Sequence, residues 1–186
     1  MKCWDGFLGS GEWNPFGDAQ AYYLHGAVHI YRYPEPRFPS RTYIQMLRYR
    51  WGRPLTKQVD AELAAGRLPI FIAEGDSQKK KARQRGEYLA AAKSKFRRIC
   101  TKDPGAVLFT FGHSFGESDN HIADEIGSGV LRDVFIGVYS DADLVRVHEL
   151  AASWTETRLA SDGPPIRVRW FNSLECQVWD HARQAA

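Results

Sequence analysis

The sequence predicts an α/β protein of three layers, in which helices flank a mostly parallel sheet. From residue 68 onward, short apolar runs alternate with longer amphipathic segments. Most of the short runs are apolar nearly throughout, which is typical of strands buried on both faces of a parallel sheet. The chain has 186 residues, of which 44% are hydrophobic, and this is enough for one core. We therefore expect residues 1–186 to form a single domain.

The first 67 residues have a different pattern from the rest. Glycines and a proline interrupt residues 6–17, so no regular element is predicted there. Residues 21–33 are predicted to form an extended pair of strands around His25 and Gly26. Three prolines between residues 34 and 39 predict an open loop, and a helix is expected near residues 55–65.

Alternating strands and helices are predicted for residues 68–186. The predicted strands are Leu68–Ala73, Ala106–Phe111, Val134–Tyr139 and Ile166–Phe171. The last of them alternates apolar and basic residues, which suits an edge strand. The predicted helices carry apolar stripes at Tyr88–Ile99, Ile122–Ile126 and Leu144–Trp154, and another helix is expected to begin near Ser173. Ser118 is the predicted N-cap of the second of these helices, and Asp141 or Asp143 suits the positive N-terminal end of the third.

The opening of the chain lacks a feature that is usual in nucleotide-binding α/β domains. Such domains begin with a strand, a glycine-rich turn and a helix. Here Gly6, Gly9 and Gly11 follow no predicted strand and precede no predicted helix. We therefore expect the N-terminal half of a doubly wound domain to be missing, and expect a second copy or another partner to supply it.

Composition indicates a cytoplasmic protein. No apolar run approaches the roughly 20 residues that a membrane helix needs, so the chain is expected to be soluble. The N-terminus has no apolar region typical of a signal peptide. The three cysteines are isolated and form no CxxC spacing, which favours a reducing compartment over a disulfide framework.

Charge is distributed unevenly along the chain. Basic residues are concentrated in residues 32–57 and 76–102, whereas residues 103–186 are mainly acidic. A basic region beside an acidic one can attract phosphate groups. No aromatic stacking residues are interleaved with the lysines of residues 76–102, because Tyr88 and Phe96 belong to the predicted apolar stripe. This counts against recognition of single-stranded nucleic acid. We therefore interpret that segment as a solvated helix face and expect no nucleic-acid partner. The alternative is a non-catalytic module that binds nucleic acid or another partner through residues 76–102.

Residues Gly112-His113-Ser114-Phe115-Gly116 follow a predicted buried strand and match the G-x-S-x-G pattern of α/β-hydrolases. In that alternative Ser114 is the nucleophile, with Asp141 or Asp143 as the acid and His181 as the base. The predicted helix start at Ser118 instead leaves Ser114 in a loop. A strand, a glycine turn and a helix also suit the binding of a phosphate or a ribose, since the turn offers N–H groups and the serine offers a hydroxyl.

Two other positions are candidates for chemistry. His25 lies directly before Gly26, and a glycine allows main chain or ligand to approach the imidazole closely. Glu74 follows a predicted strand, where a carboxylate can bind a ribose hydroxyl. The spacing of His25 with His29, and that of His113, Asp119 and His121, does not select zinc, so no metal site is predicted.

Four blocks of sequence together carry a resemblance to a known family. They are Tyr22–Tyr31 (YYLHGAVHIY), Phe71–Lys79 (FIAEGDSQK), Phe111–Ile122 (FGHSFGESDNHI) and Phe171–Trp179 (FNSLECQVW). They resemble an uncharacterised bacterial family, domain of unknown function 4917. That family is itself similar to the sirtuin-like, Rossmann-like NAD-binding fold of prokaryotic anti-phage effectors.

This resemblance implies a function. It implies that the protein binds NAD and acts as an NAD glycohydrolase in prokaryotic defence, with His25 as the base that acts on the nicotinamide ribose. It also implies that Gly112, His113 and Ser114 contact the NAD phosphate and ribose. Together with Gly26, Glu74 and Asp119 they form the expected nucleotide-binding set. Two departures are evident, because His113 replaces a threonine and the catalytic asparagine of such folds has no match here.

Overall fold

A computed structural model describes residues 4–17, 19–72, 78 and 86–176. The chain divides into two compact units. Unit 1 comprises residues 1–75 and 79–94, and unit 2 comprises residues 76–78 and 95–186. Whether they form the single domain expected from the sequence stays a prediction. Within the described ranges, no helix combines the length and the apolar content that crossing a bilayer requires.

Unit 1 contains an antiparallel sheet of three strands in the described part of the chain. Its strands are β1 (Gly26–Glu35), β2 (Phe38–Met46) and β3 (Pro69–Phe71), in the order β2-β1-β3. Helix α1 (Leu55–Ala64) lies between β2 and β3 in the sequence, as predicted. The sheet is built around a hairpin, because β1 and β2 pair continuously from Ile30 opposite Met46 to Pro34 opposite Thr42, after which the register shifts.

The hairpin corrects two predictions for this region. The prolines do not form an open loop, since Pro34 lies within β1 opposite Thr42. Strand β3 reaches along β1 only from Gly26 to Tyr31. Pro34 therefore lies where one side of β1 is an open edge, and a residue without an N–H group is tolerated there. The extended pair predicted around His25 and Gly26 is also wrong, because β1 begins at Gly26 and residues 21–25 form no strand.

The strand predicted at residues 68–73 is present as β3, but its partner differs from the prediction. It pairs antiparallel with β1 in unit 1 and belongs to no parallel sheet. An apolar run of a few residues indicates burial, and it carries no information about which strand lies beside it. Position 73 lies outside the described residues.

The core of unit 1 joins the hairpin to residues distant in sequence. It contains Phe7, Ile30, Ile44, Met46, Ile72, Tyr88 and Leu89. Tyr88 and Leu89 come from the first turn of helix α2 (Glu87–Lys102), which has residues in both units. The Tyr88 hydroxyl accepts a hydrogen bond from the Tyr23 main-chain N–H at 3.1 Å. Burial raises the pKa of Tyr88 to about 12, so its hydroxyl stays neutral in ordinary buffers.

Unit 2 is an α/β unit with a parallel sheet. Its elements in chain order are the end of α2, β4 (Val107–Thr110), α3 (Asn120–Gly127), β5 (Asp133–Val138), α4 (Asp141–Ala160) and β6 (Arg167–Asn172). The three strands are parallel in the order β4-β5-β6. These elements confirm the mixed α/β class and the predicted positions of the last three strands. A 3-10 turn, Ser173–Cys176, stands where the last helix is predicted to begin, and the residues after it lie outside the described part.

The core of unit 2 lies on one face of this sheet. Val134, Ile136 and Val138 of β5 are buried, and they share a cluster with α3 and α4, including Trp154. On the opposite face Phe109 is 66% exposed, although its ring stacks on that of Phe135 at 4.6 Å. The prediction that the strand at 106–111 is buried on both faces is therefore wrong.

Candidate functional site

The loop after β4 holds three of the seven site residues predicted from the sequence, namely Gly112, His113 and Ser114. Strand β4 ends at Thr110, and residues 111–116 lead to a 3-10 turn, Glu117–Asp119, which continues into α3. Gly112 has a φ of +67°, and no atom lies within 4 Å of where a Cβ would stand. The loop therefore leaves the carboxyl end of a parallel strand with an unobstructed glycine, the position where ligands bind in open α/β sheets.

Phe115 anchors this loop in a strained conformation. Its φ is +50°, which is uncommon for a bulky residue. Its side chain is 2% exposed and lies edge-on to Trp154, with ring centroids 6.0 Å apart. The Phe115 N–H donates to His113 Nδ1 at 3.1 Å, and the Phe115 carbonyl accepts from Arg146 Nε at 3.1 Å. Burial and these two bonds hold the backbone in a conformation that it would otherwise avoid.

His113 supports the loop through its neutral form. Because Nδ1 accepts the Phe115 N–H, we assign the imidazole proton to Nε2. His113 Nε2 lies 3.7 Å from Asp119 Oδ2, and the imidazole packs 4.4 Å from the Phe115 ring. A second proton on Nδ1 would replace an acceptor with a donor facing the Phe115 N–H. His113 therefore holds the loop through Nδ1, and its Nε2 is turned toward the Asp119 carboxylate.

Ser114 lacks the geometry of a hydrolase nucleophile elbow. In such an elbow the serine sits on a strained strand-to-helix turn, whereas here the strained residue is Phe115. The hydroxyl of Ser114 forms no hydrogen bond with any residue that the structure describes. Of the proposed acids, Asp143 is occupied by capping α4, and His181 lies outside the described residues. These features favour a ligand-binding role for Ser114 over a nucleophilic one.

The start of the helix after this loop differs from the prediction. Ser118 lies inside the 3-10 turn, and Asp119 is the N-cap of α3. The prediction of Ser118 as N-cap is therefore wrong, because a 3-10 turn is inserted between the loop and the α-helix. The prediction that Ser114 lies in a loop is confirmed.

His25 and Gly26 belong to unit 1, where they join a turn to β1. Gly26 has a φ of +72°, and a Cβ there would lie 1.9 Å from the Ile70 carbonyl oxygen. The His25 carbonyl accepts the Ile72 N–H at 2.9 Å. The glycine is thus required by the close approach of β3. The role of His25 as a base stays a prediction, and Glu74 lies outside the described residues.

The structure adds Arg146 to the candidate site. Besides the Phe115 carbonyl, its guanidinium donates to Asn120 Oδ1 at 3.3 Å and to Glu149 Oε2 at 3.3 Å. These contacts tie the loop to the start of α3 and to α4. Arg146 was not predicted from the sequence because Phe115 and Asn120, its partners in the loop and in α3, lie 31 and 26 residues away. The available signal was a basic side chain between the apolar stripe positions Leu144 and Val147.

Two grooves of unit 2 lie near these elements. A groove of ≈ 210 Å³ at the carboxyl ends of β5 and β6 is lined by Ser140, Asp141 and Asn172, among others. A larger groove of ≈ 490 Å³ runs between α3 and α4 and includes Asn120 and Arg146. Of the site residues predicted from the sequence, Asp141, a candidate acid of the hydrolase alternative, lines the smaller groove, and none of the predicted nucleotide-binding residues lines either groove. The loop at 112–116 is therefore a separate, open feature of the same unit.

The described geometry defines a mixed α/β protein with a parallel sheet and a glycine-containing loop at the carboxyl end of its first strand. The profile of a family described as a domain of unknown function, DUF4917, matches residues 3–179. The chain therefore belongs to the DUF4917 family. Searches of curated proteins and of solved structures found no significant match.

Proposed function

We propose that unit 2 binds a nucleotide, with NAD as the candidate cofactor, through the loop at residues 112–119. The observation that carries this proposal is the unobstructed Gly112 turn at the carboxyl end of β4, next to an unbonded Ser114 hydroxyl. Among the described strands the sheet order follows the chain order, so no switch point falls inside the sheet. The outer side of β4 is then the position for a crevice.

The charges of the loop favour the ribose as the group that it contacts. Glu117 and Asp119 stand in the first turn after Gly116, and carboxylates repel a phosphate. The same carboxylates accept hydrogen bonds from ribose hydroxyls. Ser114 offers a hydroxyl that both donates and accepts. We assign Ser114 and Asp119 to the ribose, with the Gly112 main chain lying against it.

We further propose that water cleaves the glycosidic bond of a bound NAD, with nicotinamide as the leaving group and ADP-ribose as the other product, and that His25 is the base that takes the proton from the water. This step extends the proposal to a residue of unit 1 and is supported by the family resemblance alone. Glycosidic cleavage passes through a cation-like ribose, so it needs a base and fixed dipoles rather than an activated nucleophile. The geometry of Ser114 is compatible with that requirement.

Binding is tested by titrating NAD, ADP-ribose and nicotinamide separately into the full chain by calorimetry. We expect NAD and ADP-ribose to bind and nicotinamide alone not to bind. Ser114→Ala removes one hydrogen bond in the complex and should weaken NAD binding by roughly tenfold. Ser153→Ala, at an exposed position on α4, is the matched control and should leave the affinity unchanged. Equal affinities for both variants and wild type would refute a role for the loop.

Cleavage is tested by following nicotinamide release from NAD. We expect release to be abolished in His25→Ala, while calorimetric binding of ADP-ribose persists. Binding without release in the wild type would remove the catalytic part of the proposal and leave the binding part standing. A fluorophosphonate probe tests the alternative, since stoichiometric labelling that Ser114→Ala removes would establish a serine hydrolase instead.

A further inference from the structure

The segment between β2 and α1 presents an exposed aromatic residue on a tight turn. In this turn the Arg53 N–H donates to the Arg50 carbonyl at 2.9 Å, with Trp51 and Gly52 as the central residues. Gly52 has a φ of +74°, which a turn of type II requires at that position. Trp51 is 95% exposed, and its indole contacts no other ring among the described residues. The indole surface is therefore available to a planar partner.

Arginines flank this indole on both sides. Arg50 and Arg53 are exposed, and neither has a carboxylate partner within the described part of the chain. Arg48 differs, because its guanidinium pairs with Asp5 at 2.9 Å. A guanidinium binds phosphate oxygens through a planar fork of donors. The turn thus combines two uncompensated positive charges with a stacking surface.

A buried side chain fixes the turn from inside. Gln58 on α1 is 6% exposed, and its Nε2 donates to the carbonyls of Arg48 and Arg53, each at 2.9 Å. Both ends of the turn are held by one amide, so its conformation is set before any partner arrives. Such preorganisation lowers the ordering cost of binding.

We propose that residues 48–53, the arginine-tryptophan turn, bind single-stranded nucleic acid. Base stacking on an exposed aromatic side chain needs an unstacked base, which a single strand offers and a duplex does not. The two free arginines supply the phosphate contacts. The sequence-based expectation against a nucleic-acid partner concerned the lysines of residues 76–102, a different segment whose aromatic residues, Tyr88 and Phe96, belong to the apolar stripe of α2. Tyr49, 68% exposed beside Arg50, adds a second aromatic surface to the turn.

The test measures fluorescence anisotropy of a labelled oligothymidylate of about 20 nucleotides with the full chain. Trp51→Ala should weaken binding about tenfold, and Trp51→Tyr should restore most of that loss, because stacking tolerates any aromatic ring. The double variant R50E/R53E should make the slope of log affinity against log salt less steep by about 1.4, since each phosphate contact in a single strand contributes about 0.7.

The control R98E/K102E reverses two exposed charges on α2 and gives the same net charge. We expect it to bind like the wild type, with thermal unfolding confirming that every variant folds. Equal losses in the control and in R50E/R53E would overturn the proposal, because they would show that only net charge matters. Tighter binding to duplex than to single strand would also overturn it. So would Trp51-dependent binding to phosphatidylserine vesicles without any oligonucleotide binding, which would assign the turn to a membrane surface.

Discussion

Both units bury a polar helical side chain that holds main-chain carbonyl groups, and they differ in the chemistry used. In unit 2 the Arg158 guanidinium is 2% exposed and donates to four carbonyls, those of Ile126, Gly127, Leu131 and Pro164, at 2.6–3.1 Å. In unit 1 the Gln58 amide donates to two carbonyls. A charged side chain thus organises the segments after α3 and α4, whereas a neutral one organises a single turn.

The two buried side chains, Arg158 and Gln58, differ in the free energy that their burial costs. Burial lowers the pKa of Arg158 from its ordinary value, yet arginine remains charged under all ordinary conditions. The four carbonyl dipoles replace the water that this charge has lost. Gln58 carries no charge, so its burial costs less, and its two N–H groups find acceptors in the carbonyls of Arg48 and Arg53. Removing the Arg158 side chain should therefore lower the stability of the protein more than removing that of Gln58.

Arg158→Met should give the largest loss of stability. It leaves four carbonyls without their donor, and each buried carbonyl left unsatisfied costs about 1–3 kcal/mol, so we expect a loss of about 3 kcal/mol or more. Denaturant unfolding of the full chain measures this loss. Arg132→Met, at an exposed position of the same unit, should stay within about 0.5 kcal/mol of wild type. A loss below about 1 kcal/mol for Arg158→Met would mean that the carbonyls find other donors.

Gly26→Ala should lower stability more than Gly112→Ala, although the two glycines have similar backbone conformations in different units. Gly26 and Gly112 both have a positive φ, but only Gly26 faces another main chain at a distance that excludes a Cβ. Gly112→Ala should cost about 1–2 kcal/mol from the backbone alone. Gly26→Ala should cost about 2 kcal/mol more, because β3 must move. Equal losses in urea unfolding would mean that β3 shifts freely at Ile70.

Gln58→Leu should destabilise the chain less than Arg158→Met. Two buried carbonyls lose their donor, and an unsatisfied buried polar group costs about 1–3 kcal/mol. The same variant should also weaken oligonucleotide binding, because the arginine-tryptophan turn loses its internal support. Thr56→Leu, exposed on the same helix, should change neither quantity. Unchanged stability in Gln58→Leu would show that water replaces the amide at both carbonyls.

The two units also differ in how well the sequence predicts them. In unit 2 β4 and β5 are each followed by an α-helix and β6 follows α4, so apolar runs and helical stripes near in sequence locate the three strands. In unit 1, β1 pairs with β3 across about 40 residues, and no local pattern reports that partner. The position of Pro34 inside a strand depends on how far β3 extends, which is likewise a property of the assembled sheet.

At the candidate site, too, the sequence predicted the features that adjacent residues determine and not those that depend on packing between distant segments. A buried strand followed by a glycine turn predicts the loop at 112–116, because strand and turn are adjacent in sequence. The positive φ of Phe115 and the contacts of Arg146 were not predictable, since both depend on packing against α4. The requirement for Gly26 is visible only in the structure, where it comes from the Ile70 carbonyl rather than from a ligand.

Ser140→Ala should give the smallest of these losses of stability. It removes the serine cap from α4 of unit 2, which then lacks that cap as α1 of unit 1 does. Helix α4 begins with a capping box, in which Ser140 Oγ accepts the Asp143 N–H and Asp143 Oδ2 accepts the Ser140 N–H. Helix α1 begins at Pro54 without a side-chain cap. Loss of an N-cap serine costs about 1 kcal/mol. Denaturant unfolding should detect this loss against Ser153→Ala, an exposed serine within α4. Equal stabilities for the two variants would show that the Asp143 carboxylate and the helix dipole hold the N-terminus of α4 without the serine.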